Sequence, residues 1–140
     1  MLSRIFTVAV LAVALSGCAK GLTPSQTREY RSMEANGIET QEKNPTTGAL
    51  LGLLPGGGSF YAREPGLGVL NLLLWPLSIL WDPISGYDGS MAINYQMSVA
   101  DIRRNKLADQ RRVQRDLEEG RIDNATATRL LRDIDDKYYY

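Results

Sequence analysis

Asn44-Pro45-Thr46-Thr47-Gly48-Ala49-Leu50-Leu51-Gly52-Leu53-Leu54-Pro55-Gly56-Gly57-Gly58-Ser59-Phe60-Tyr61-Ala62, then Arg63-Glu64, then Pro65 through Trp81, is a stretch of 38 residues with only two charges. Those two are adjacent and divide it into uncharged runs of 19 and 17 residues. A helix needs about 20 apolar residues to cross a hydrocarbon core of roughly 30 Å, so two near-spanning runs joined by a charged turn read as a membrane hairpin. Both runs are short, and Pro55, Gly56 to Gly58 and Pro76 interrupt them. Backbone freed by such breaks must find partners in neighbouring helices or water. Three arrangements stay open: a spanning hairpin, an interfacial or re-entrant wedge, and a soluble core hairpin.

Around this stretch the composition excludes several kinds of chemistry. The 140 residues hold 16 Lys+Arg, 16 Asp+Glu, no His and one Cys. A His-ligated metal site, a Ser-His-Asp triad and a disulfide framework are therefore out.

The chain starts with a short charged segment, Met1 to Arg4, an apolar run from Ile5 to Leu15, and the small residues Ser16 and Gly17 before Cys18. This is the layout of a secretory signal, and the apolar run is too short to span a bilayer. An uncleaved N-terminal anchor is the alternative. Leu15-Ser16-Gly17-Cys18 resembles the lipobox of bacterial lipoproteins. The resemblance implies cleavage after residue 17, acylation of Cys18 on sulfur and then on its amine, and a lone thiol made chemically inert. Each buried acyl methylene contributes about 0.8 kcal/mol, so two or three chains hold where one is marginal. Ala19 follows Cys18 in place of the aspartate that commonly retains lipoproteins at the inner membrane. Loss of residues 1–17 removes Arg4 and leaves 15 basic against 16 acidic side chains, which gives no electrostatic reason to expect a nucleic-acid partner.

Residues 18–45 carry four basic and four acidic side chains and few apolar ones, the composition of a solvated tether. Within it, Thr23 is placed to cap a helix, with Pro24 in the first turn and Gln26 reaching back. Gly37 is its stop. Tyr30 and Met33 are its large apolar residues, so the helix is expected to be marginal without a partner.

Leu50 through Tyr61, Gly66-Leu67-Gly68-Val69-Leu70-Asn71-Leu72-Leu73 and Trp75 through Trp81-Asp82 together resemble the two-transmembrane-helix domain family called TM-two. That family has a Gly-rich turn before Phe-Tyr, a Gly-x-Gly opening of its second helix, and an Asp after a tryptophan-bearing apolar run. Gly57-Gly58-Ser59 stand where the family usually has a His. The resemblance implies a membrane location rather than an activity.

Other readings of the same residues are weaker. Gly56 to Ser59 lack the Lys and the strand of a phosphate-binding loop and suit a tight turn or close helix approach. Trp75, Trp81, Tyr61 and Tyr87 near the ends of apolar segments suit an interfacial belt better than a ligand pocket. Asp82-Pro83 and Asp88-Gly89 are turn chemistry, and two carboxylates alone make a poor cation cage. A hydrolase using Asp82 and Asp88 is the one catalytic reading to test.

From about Ser98 the pattern reverses, with ten basic and nine acidic residues between 101 and 140. Ser98-Val99-Ala100-Asp101 resembles a capping box at a helix start. Val99, Ile102, Val113 and Leu117 share one stripe, with Leu107 off it. Gly120 is a stop, Ile122 folds back, and Asp123 caps a second helix whose inner face is Ala127, Leu130, Leu131, Ile134 and Tyr138. Leu117-Glu118-Glu119-Gly120-Arg121-Ile122-Asp123 with Leu130-Leu131 resembles the short C-terminal domain family called SHOCT, which implies a role in assembly. Arg103, Arg104, Lys106, Arg111, Arg112 and Arg115 face one acid, Asp109, and suit a solvated face, anionic headgroups or a protein partner. Tyr138-Tyr139-Tyr140 reads as a frayed end or an oligomer contact.

The expectation is a mostly α chain: signal peptide 1–17, tether 18–45, apolar membrane-associated hairpin 46–95, and charged helical hairpin 96–140. It has no catalytic, metal or cofactor residues and Cys18 as its lipidation site. The expected role is a non-enzymatic, lipid-anchored envelope component facing the periplasm, assembling with a second copy or an envelope membrane protein. The alternative is a lipid-surface binder or envelope-stress accessory using the basic cluster. A spanning hairpin would place it in the inner membrane, a wedge in the outer.

Overall fold

The computed structural model describes residues 21–140, so the signal peptide and Cys18 lie outside the described residues. These form α1 (Pro24–Ala35), α2 (Pro45–Leu51), α3 (Gly57–Tyr61), α4 (Pro65–Leu73), a 3-10 turn (Leu77–Leu80), α5 (Asp82–Glu118) and α6 (Asn124–Lys137). There is no strand among them. The chain is mostly α, as its patterning indicates.

Local chemistry sets most helix ends. Thr23 accepts from the Gln26 backbone N–H at 3.3 Å while the Gln26 side chain accepts from the Thr23 N–H at 2.9 Å, the reciprocal capping box. Gly37, at φ +64, follows the end of α1. Asn44 caps α2 through the Thr47 N–H at 3.0 Å, with Pro45 in the first turn. Gly120, at φ +69, follows α5, and Asp123 caps α6 through the Thr126 N–H at 2.8 Å.

α5 is 37 residues long, about 55 Å at 1.5 Å per residue, and the rest of the chain is laid along it. The chain first runs down it. Thr40 donates its N–H to the Ser98 hydroxyl at 2.8 Å, Glu42 and Lys43 donate theirs to the Asn94 side-chain oxygen Oδ1 at 3.0 and 2.7 Å, Gly48 meets Gly86, and Gly52 meets Pro83. α3 then climbs from Asp82 until Ala62 and Arg63 share a cleft with Gly89 and Ala92. α4 descends again, bringing Asn71 back to Asp82.

Several expectations are corrected by this course. No helix among the described residues is long and apolar enough to cross a membrane. The two long helices of a spanning hairpin do not form because Pro55 and Gly56, in the left-handed region at φ +71, break the first run into helices of 7 and 5 residues, and the second run forms a helix of 9 residues that ends before Pro76. No helix starts at Ser98, which lies inside α5; its hydroxyl bonds back to the Asn94 carbonyl at 2.8 Å, and one helix therefore crosses the expected boundary at 95/96. Residues 22–45 are docked rather than solvated. Tyr30 and Met33 are buried against Ile102 with Met91, Tyr95 and Val99 around them, and Tyr95 donates to Glu29 at 2.6 Å, a bond that pushes the phenol up to about 12.

The C-terminal hairpin follows its pattern. Val113, Ala127 and Ile134 form its buried seam, with Leu117, Ile122, Leu130 and Tyr138 packed against it and Leu131 more exposed. Lys137 and the Tyr138 hydroxyl donate to Asp109 at 3.0 and 2.8 Å, tying α6 to α5. Tyr138 and Tyr140 pack back on the α1–α5 core, while Tyr139 is exposed.

Candidate functional site

The N-terminal end of α5 is packed inside out. Between Gly48 and Ser90 the buried residues are all Gly, Ser or Ala apart from Asn71 and Asp82, and nothing larger than Asn is buried. Many large apolar side chains are exposed instead: Leu53, Leu73, Trp75, Leu77, Leu80 and Ile84 are all at least half exposed, Leu80 at 76%, while Leu51, Leu70 and Ile79 are half-buried. Scattered exposed leucines are ordinary, but buried polar residues together with this many exposed large apolar ones are not.

The interior is organised by Asp82, which is fully buried in the first turn of α5. Its oxygens accept from the Gly58 N–H at 3.1 Å, the Ser59 N–H at 3.0 Å, the Ser59 hydroxyl at 2.6 Å and the Asn71 amide at 2.8 Å. Donors alone converge on it, as an acceptor-only carboxylate requires. Asn71 also donates to the Ser59 hydroxyl at 2.9 Å and accepts from the Trp81 indole N–H at 2.9 Å. One side chain thus fastens α3, α4 and α5, and the network is satisfied without a long apolar core.

Glycine lets the backbones close around this knot. A Cβ on Gly48 would lie 2.3 Å from the Gly86 carbonyl oxygen, and one on Gly52 2.3 Å from the Pro83 nitrogen. Close approach through small residues, with polar groups bonded across the interface, is how helices associate where no water drives them together.

Sequence reasoning placed the glycine-rich turn correctly but missed what its amides do. The N–H groups of Gly58 and Ser59, which an incoming anion would need, are filled by Asp82. Asp82 is an anchor in a helix rather than a turn residue. It does not face Asp88: six positions apart on a helix, the two diverge by about 120°, Asp82 towards α3 and Asp88 towards Gly21, 3.3 Å from where its Cβ would stand. Burial pushes the Asp88 carboxyl up from its ordinary range. Among the described residues no three acidic, His or Cys side chains gather as a metal site.

The aromatic residues divide by level. Tyr61 accepts from the Asn44 N–H at 3.1 Å and lies under Lys43, whose ammonium is 4.5 Å from the ring centre. Tyr61 thus stands beside charge, while Trp75 lies past the lower end of α4 and is half exposed. Trp81 is half-buried through its bond to Asn71.

The basic residues of α5 are spread around the helix, with Arg104, Arg111 and Arg115 on one exposed stripe. Arg104 pairs with Asp101, and Lys106 turns to Asp135 at 2.9 Å. Arg112 lies near Asp109, and Arg103 borders a shallow groove with Tyr138 and Tyr140. Arg111 and Arg115 are exposed on the face away from the Val113 seam. No family model, curated protein or solved structure matches this chain.

Proposed function

We propose that this chain is a non-enzymatic, lipid-anchored protein of the bacterial cell envelope, held by acylated Cys18 and by its apolar end, with the paired α5 and α6 as an arm for assembly. The inside-out packing around Asp82 carries this reading. Moving six half-exposed apolar side chains from water into lipid is favourable by on the order of 6 kcal/mol, and the hydrogen bonds already made to Asp82 lower the cost of taking the polar knot into lipid. The resemblance of Leu50 to Asp82 to the TM-two family supports the membrane location. A chain that does not cross the bilayer is also compatible with transport between membranes, which together with Ala19 favours the outer membrane.

Assembly through the arm is preferred to headgroup binding by the basic cluster. On α5 the exposed large apolar residues are Ile84 and Tyr87 near its start, with Leu107 alone beyond them, so the helix stands off a membrane that holds its lower end. Arg103 to Arg115 then begin about 16 Å above Ala92, which shares a cleft with the charged Arg63-Glu64 turn, at 1.5 Å per residue, about twice the screening length of about 8 Å at physiological salt. A second copy or an envelope membrane protein fits that position.

The test separates the two anchors. The chain from residue 18, exported behind a peptidase-cleaved leader with Cys18→Ser, should carry no palmitate yet sediment with membranes in high salt. Adding Leu73→Gln, Leu77→Gln and Leu80→Gln should release it. Full solubility of the first variant would overturn the membrane role of the apolar end.

A further inference from the structure

The levels along α5 define how deep the apolar end reaches and from which side. Arg63 and Glu64 share a cleft with Gly89, Ala92 and Gln96, and Arg63 is ion-paired with Glu42. The charged turn between the two apolar runs therefore lies where the first run begins, on the same side as the α5–α6 arm. Ala92 is ten residues from Asp82, so the turn stands about 15 Å above the polar knot, close to half of a roughly 30 Å hydrocarbon core. Gly21 enters beside Asp88, between these two levels. Cys18 precedes Gly21 by three residues, a reach of at most about 10 Å.

Resting on the membrane role proposed above, we propose that the apolar end inserts into one leaflet only, the leaflet that holds the acyl chains of Cys18, with Arg63 and Glu64 among its headgroups. Acyl anchor and protein wedge then act on the same monolayer as two linked attachments, each raising the local concentration of the other.

The experiment uses the acylated full chain in cells, where the Cys18 sulfur is a thioether, with single cysteines at Arg63, Glu64, Leu73 or Tyr140 and a membrane-impermeant maleimide. Arg63→Cys and Glu64→Cys should label at the same permeabilisation step as Tyr140→Cys, and Leu73→Cys only after detergent. Arg63 and Glu64 labelling at a different step from Tyr140 would overturn the one-leaflet placement while leaving membrane attachment intact. Leu73→Cys labelling without detergent, in protein that still sediments with membranes, would overturn insertion itself. Recovery of the acylated chain away from membranes would remove the membrane role on which the inference rests.

Discussion

The Arg63 guanidinium is ion-paired with the Glu42 carboxylate, 21 residues earlier in the chain. Arg63 adopts φ +62, the only non-glycine residue in the left-handed region among those described, so the chain turns sharply there to send α4 back down. An exposed pair of this kind contributes at most about 1 kcal/mol. Its significance is positional: the pair returns the charged turn to the level at which the first uncharged run begins.

Asp82 should be the most sensitive side chain of the apolar end. Asp82→Ala leaves the Gly58 and Ser59 amides, the Ser59 hydroxyl and the Asn71 amide without their acceptor, at a cost of about 3 kcal/mol or more. Asp82→Asn keeps one acceptor oxygen but sets an NH2 against donors, and should cost nearly as much. Denaturation in detergent micelles followed by circular dichroism checks both.

Glycine substitutions should divide by location. Gly86→Ala puts a Cβ 2.1 Å from the Gly48 carbonyl oxygen and should destabilise by about 1–3 kcal/mol through forced separation of α2 from α5. Gly66→Ala meets nothing within 4 Å and sits in the first turn of α4, so it should be neutral or stabilising by up to about 1 kcal/mol. The same melts check the contrast, and equal effects would contradict it.

Acid should loosen the C-terminal hairpin first. Hydrogen bonds from Lys137 and Tyr138 hold Asp109 below the ordinary carboxylate value of 3.8, and the Thr126 side chain and backbone do the same for Asp123. A carboxyl with a depressed folded pKa stabilises above its unfolded pKa, and that contribution is lost as pH falls through the folded value. Hydrogen exchange should therefore show α6 losing protection below about pH 3.8 before the α1–α5 core does.

Asp88 should behave in the opposite sense. Burial raises its carboxyl, so the folded state binds the proton more tightly and stability from this group is present at low pH and lost as pH rises through the folded value. Asp88→Asn should raise the melting temperature at pH 7, with the gain vanishing below pH 3.8.

Features that depend on neighbours in sequence were legible. The Thr23 box, the Asp123 cap, the Gly37 and Gly120 stops and the Ala127–Ile134 face all form as spacing indicates. The knot was not legible, because the partners of Asp82 lie 11 to 24 residues away and a lone Asp before Pro carries only a turn signal. The docking of residues 38–44 was hidden for a related reason. Apart from Ile38, which packs on the core, it is made mostly by backbone groups bonding to Asn94 and Ser98 side chains, which leaves little apolar pattern to read, and the same contact explains why the Ser98 capping signal is false. Uncharged length suggested two crossings, whereas Pro and Gly at positions 55, 56 and 76 decided how the backbone used that length.

The most direct measurement is the quenching of Trp75 fluorescence by brominated lipid in the acylated protein reconstituted into vesicles, taken as the difference between wild type and Trp75→Phe. Insertion of the apolar end predicts a blue-shifted Trp75 emission that bromines in the acyl chains quench and aqueous acrylamide does not. Quenching by acrylamide, with none by the brominated lipid, would contradict it.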